Sequence, residues 1–123
     1  MVFLSKKEDV KMKTYTVCSY NEHEELVYNE MFSSPKEALG EWFKQNHKHP
    51  MMTNLLAKSK KDAIALIEWA AANKELIIEM NSRHQSHIKL NYLLQFIEDK
   101  KHDQCKFFYE GSWGDVVFPF CVG

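Results

Sequence analysis

Arginine is nearly absent: of the 16 basic side chains only Arg83 carries a guanidinium, and the rest are lysines. Direct base readout relies on the arginine fork, so sequence-specific nucleic-acid recognition has little support, although lysine–phosphate contacts would still supply salt-dependent affinity. Glycine is scarce as well. Gly40, Gly111, Gly114 and Gly123 build no phosphate-cradling loop, and no GxGxxG, GxxxxGK[ST], HExxH or GxSxG run occurs. Common nucleotide and hydrolase chemistries thereby lose their usual support. The longest apolar stretches, Ala63 to Ala72 and Val116 to Val122, fall short of the roughly 20 residues that cross a bilayer. The first residues place their charges after a short apolar patch, the reverse of an export signal. The cysteines, Cys18, Cys105 and Cys121, form no CxxC pair, and their odd number cannot close into a complete internal set. Reduced thiols and a cytoplasmic location are the expectation.

What is present fits one globular unit. The 123 residues are 45% apolar and 27% charged, a composition that supports a single buried core. Residues 1–13 read as a loose lysine-rich tail or short helix, with Ser5 and Glu8 at capping-box spacing, and residues 14–123 as a single α+β domain.

Strand chemistry opens that domain. Thr14 to Tyr20 and Leu26 to Phe32 are rich in β-branched and aromatic residues and flank a polar Asn21–Glu25 turn, which predicts a hairpin. Ser34-Pro35-Lys36-Glu37 is a helix start with its cap, its first-position proline and its first-turn acid. The helix that follows carries Ala38, Leu39, Trp42 and Phe43 on one stripe and should end before Pro50. Met51 to Lys58 reads as a short helix. Ser59 to Asp62 then caps a stronger one lined by Ala63, Ile64, Ile67, Ala70 and Ala71 and widened by Leu66 and Trp69. Asn73 is its stop, and Leu76 to Met80 reads as a buried strand. Leu90, Leu93, Leu94 and Ile97 recur at helical spacing, with Ser82 or Ser86 as the cap. Cys105 to Tyr109, a Gly111–Asp115 turn and Val116 to Val122 close the chain as a second hairpin, with Pro119 pointing to an edge or a bulge. The expected order is β-β-α-α-β-α-β-β: a mostly antiparallel sheet packed on one face by about three helices.

No side-chain constellation announces a reaction. His47 with His49 and His84 with His87 tempt as metal ligands, yet neither pair has a cysteine nearby to complete a tetrahedral set, so no metal or cofactor is expected. The cysteines lie in predicted strands rather than at helix N-termini, which favours packing over nucleophilic chemistry unless folding brings His23 or His102 alongside. Glu22, His23, Glu24 and Glu25 resemble acid–base material but sit in a solvated turn.

Charge segregation is the most informative asymmetry. Glu22, Glu24, Glu25 and Glu30 occupy a segment free of basic residues, and Lys44, Lys48, Lys58, Lys60 and Lys61 one free of acids. Trp113, in the last predicted turn, folds back over the sheet or stands out as a binding anchor. The balance favours a non-enzymatic role: a small protein-binding module and, within that class, a stoichiometric inhibitor such as an immunity protein or a phage-type anti-defence factor. Those glutamates, those lysines and Trp113 are its candidate contacts. A nonspecific nucleic-acid binder using Lys44 to Lys61 is the alternative, and a small enzyme with a Cys/His site assembled from distant residues is a third reading.

Overall fold

Two strands, β1 (Tyr15–Tyr20) and β2 (Leu26–Phe32), form the expected antiparallel hairpin. Its turn is held by Asn21, whose Oδ1 accepts hydrogen bonds from the backbone N–H groups of His23 at 2.8 Å and Glu25 at 2.9 Å. Glu24 takes a left-handed conformation there, at φ 63°. The computed structural model describes residues 13–50, 52–86 and 88–99, together with the backbone of 106–109 and 112–113.

After the hairpin come helix α1 (Pro35–Lys48), strand β3 (Thr53–Ala57), helices α2 (Lys60–Ala72), α3 (Lys74–His84) and α4 (Leu90–Glu98), and strands β4 (Lys106–Tyr109) and β5 (Ser112–Trp113). The class is α+β. The strands lie in the order β2-β1-β3-β4-β5, with antiparallel pairing throughout except between β3 and β4, which run parallel.

Both predicted caps form. Ser34 Oγ accepts from Glu37 N–H at 3.2 Å, and Ser59 Oγ accepts from Asp62 N–H at 3.2 Å. Each satisfies a backbone donor that the first helical turn would otherwise leave without a partner. The stripes behind them face inward: Ala38, Leu39, Trp42 and Phe43 from α1 and Ala63, Leu66, Ile67 and Ala70 from α2 are all buried. They pack on Tyr15, Val17, Leu55 and Ala57, which line one face of the sheet, while α3 and α4 add Ile77, Met80, Leu93, Phe96 and Ile97 to the same core.

The structure corrects the expected element order in two places. Met51 to Lys58 is not a helix; its Thr53–Ala57 portion is β3, paired residue for residue with β1 from Tyr15↔Ala57 to Ser19↔Thr53. Leu55 and Leu56 suit a helix by propensity, but the second side of β1 has backbone groups that need partners, and pairing overrides so weak a preference. Leu76 to Met80 is not a strand but the middle of α3. Ile77 and Met80 are buried whereas Ile78 is 42% exposed, the pattern of one helix face. Asn73 does stop α2, and α3 begins at the next residue. Four helices are therefore described rather than about three.

Smaller differences follow. The residue capping α4 is Lys89, not Ser82 or Ser86; Ser82 lies within α3, and Ser86 Oγ donates to Asn81 Oδ1. Trp113 belongs to a strand, with its backbone opposite Phe108, rather than to a turn. The tail over residues 1–12, Cys105, Cys121, His87, His102, the exposure of the Trp113 side chain and the strand expected over Val116 to Val122 all lie outside the described residues.

A hydroxyl chain ties α1 to the sheet. Thr53 Oγ1 donates to the His49 carbonyl at 3.0 Å, so its contact with Ser19 Oγ at 2.8 Å has the serine as donor. On the other side Tyr15 OH donates to the Asp62 carbonyl at 2.9 Å, fixing the start of α2 over β1.

Two outcomes check this architecture. Ile77→Ala should cost about 2–5 kcal/mol in urea denaturation and Ile78→Ala no more than about 0.5, whereas a strand buried inside a sheet would make both costly. Burial, with the Asp62 carboxylate adding to it, pushes the Tyr15 phenol from 10 up to about 12. The folded chain thus holds this proton more tightly than the unfolded chain, so the contribution is full below pH 10 and lost as pH rises towards 12. Tyr15→Phe should flatten the alkaline fall of Tm over that window, measured by circular dichroism.

Candidate interaction surface

Register divides the sheet into two unlike faces. Tyr15, Val17 and Ser19 align with Phe32, Glu30 and Tyr28 on one side and with Ala57, Leu55 and Thr53 on the other, forming the face that α1 and α2 cover. Thr16, Cys18 and Tyr20 align with Met31, Asn29 and Leu26 and with Leu56 and Asn54, forming an outer face that carries no described helix.

That outer face is a cleft of about 640 Å³, lined among others by Thr16, Cys18, Tyr20, Leu26, Met31 and Leu56. Cys18 and Leu56 are buried in its floor, while Leu26 and Met31 stand about half exposed. Strand alternation explains the floor: side chains two residues apart share a face, so β1 contributes Thr16, Cys18 and Tyr20. Burial pushes the Tyr20 phenol up, and Cys18, with which it hydrogen-bonds, adds to the effect.

The two ends of the cleft carry opposite charge. Beyond Tyr20 and Leu26 lies the turn with Glu22, Glu24 and Glu25, all exposed. Lys13 and Lys58 line the other end, where the Lys58 N–H donates to the Thr14 carbonyl at 2.7 Å and extends the β1–β3 ladder by one residue. Glu30 is also exposed; it aligns with Val17 of the helix-covered face yet still borders the cleft at the β2 edge.

The lysine segment is not one surface. Lys44 and Lys48 project from the last turns of α1, whereas Lys58, Lys60 and Lys61 cluster where β3 passes into α2. The whole of β3 separates the groups, about 17 Å at the usual rise per residue. The lysines thus form two basic groups rather than one contiguous segment.

One histidine of each sequence pair meets the other. His47 Nδ1 lies 3.0 Å from the Gln85 carbonyl, at the end of α3, and His84 is close enough to feel the charge of His47. Burial pushes the His84 imidazole below its ordinary pKa, and Arg83, Lys44 and His47 push the same way against the opposing Glu41 carboxylate. Glu41 accepts a hydrogen bond from Gln45 Nε2 at 2.8 Å and another from Tyr28, whose phenol is driven strongly up by burial first and by that carboxylate second. Among the described residues no three His, Cys, Asp or Glu side chains stand together as metal ligands do. Cys18 lies mid-strand between Asn29 and Asn54, and His23 is exposed on the turn.

Sequence reasoning named the acidic turn and took the lysines as one segment, Lys44 to Lys61, but missed the cleft and the Tyr28–Glu41–His84 group. The signal for the cleft was present in the consecutive apolar Leu55 and Leu56, since a strand with both neighbours buried must have cover or a concavity on each face. Among the described residues no helix is long and apolar enough to cross a membrane. No family model matches the chain, and no curated protein or solved structure matches it either.

Proposed function

We propose that this chain is a protein-binding module that docks its partner on the outer face of the sheet, acting within that class as a stoichiometric inhibitor of another macromolecule. The observation that carries the reading is the apolar cleft with glutamates at one end and lysines at the other. Apolar side chains half in water gain free energy when a partner covers them, about 25 cal/mol for each Å² removed from solvent. Opposite charges at the two ends select one orientation of the partner and speed its encounter. An immunity protein or an anti-defence factor needs no more than such a complementary surface.

The favoured partner segment is therefore amphipathic, with basic residues towards Glu22, Glu24 and Glu25 and acidic residues towards Lys13 and Lys58. Trp113 and the lysine groups at Lys44, Lys48, Lys60 and Lys61 remain candidate peripheral contacts.

The experiment begins with capture of the partner by tagged full-length chain from its native host, followed by measurement of affinity for purified variants. Thr16→Arg projects into the cleft from the second residue of β1 and should weaken binding by roughly a hundredfold, the loss typical of a blocked interface. Charge reversal at Glu22, Glu24 and Glu25 together should slow association and reduce its dependence on salt. Unchanged affinity in both variants removes the outer face as the docking surface.

A further inference from the structure

One side of β2 faces no partner strand among the described residues. β2 is the terminal strand of the sheet, seven residues long, and pairs with β1 along one side only among the described strands. Of the five large apolar side chains exposed among the described residues, Leu26, Val27 and Met31 stand on this strand, at 51%, 46% and 46% exposure. Edge strands are commonly protected by proline, by lysine or by short length. β2 has no proline and no lysine, and Glu30 is its one charge. Its protective features are that charge and the bulge opposite Ser19 and Tyr20, which leaves Val27 without a register partner in β1 and disturbs only the first residues of the strand.

Charge decides what can pair there. The N-terminal end of β2 follows Glu22, Glu24 and Glu25; its C-terminal end runs into Lys36 and Glu37 of α1, with Lys13 ahead of the neighbouring β1 and Lys58 one strand further on. A second copy aligned antiparallel sets the acidic turn of each molecule against the lysines of the other, whereas parallel alignment sets acid beside acid. The residues also choose a register. Centred on Asn29, the pairing sets Val27 opposite Met31 and Tyr28 opposite Glu30. Centring on Glu30 opposes two like charges, which is destabilising, and centring on Tyr28 sets Met31 against Glu25.

We propose that β2 pairs antiparallel with β2 of a second copy across a two-fold axis through Asn29, joining the two five-stranded sheets at their edges. The contact is isologous, the commonest symmetry of soluble oligomers. It goes beyond the protein-binding reading and does not depend on it, because the outer faces remain open in the pair. The clefts of the two copies then meet along the seam, since Leu26, Asn29 and Met31 line them at the β2 side.

The test uses full-length chains carrying Val27→Cys or Met31→Cys, with unsubstituted chain as the control for native thiols. Directly opposed residues of an antiparallel pair have Cα atoms about 4.5–5.5 Å apart, within disulfide reach, whereas Val27 and its own copy lie about 13 Å apart in this register. Mild oxidation of the mixture should therefore give a linked dimer that neither variant gives alone. Sedimentation equilibrium should show a dimer that weakens as salt rises. Met31→Lys should raise its dissociation constant by roughly tenfold or more, with the circular dichroism spectrum unchanged. A monomer at every attainable concentration overturns the inference, as does a dimer that Met31→Lys leaves intact or a mixture that fails to cross-link. Asn54→Arg, on the outer face of β3 with β1 between it and the β2 edge, reports by its effect on partner capture on the outer-face reading separately from the state of the pair.

Discussion

The pairing of β3 with β1 is the constraint on which the other placements depend. It occupies the second side of β1, and thereby makes β1 internal and leaves β2 at the edge. It also draws the end of α1 and the beginning of α2 to opposite ends of one short strand, which is why the lysines contiguous in sequence separate in space. The hydroxyl chain from Ser19 through Thr53 to the His49 carbonyl locks one end of that strand, and Tyr15 with the Asp62 carbonyl locks the other. Hydrogen bonds of this kind contribute about 1 kcal/mol each, and their larger effect is to penalise any register that leaves them unmade and buried.

What followed from local chemistry was legible in the letters. Ser34 and Ser59 cap their helices through atoms three residues away, so neither depends on the rest of the fold, and the stripe Ala38, Leu39, Trp42 and Phe43 has one amphipathic solution. The Asn21 turn is equally local. The exchange of β3 for helix and α3 for strand has a common cause: Leu55-Leu56-Ala57 and Leu76-Ile77-Ile78 are apolar runs too short for periodicity to decide between helix and strand. Leu55 and Leu56 are both buried because the sheet has two lined faces; Ile77 is buried and Ile78 exposed because α3 has one.

The candidate site was legible only in part for the same reason. Glu22, Glu24 and Glu25 announce themselves by their closeness in one polar turn, but the cleft they flank is assembled from residues of β1, β2 and β3. Its existence depends on a register that no single segment encodes. The Tyr28–Glu41–His84 group joins a strand and two helices and carried no linear signal at all.

Glu24 sits where a side chain beyond glycine or asparagine is disfavoured, since the left-handed conformation crowds Cβ against the carbonyl oxygen and costs on the order of 1–2 kcal/mol. Glycine would relieve that crowding and lose the carboxylate. The hairpin tip therefore trades folding free energy for a negative charge facing water, and backbone strain is held at the point where an approaching cationic group would first meet the turn.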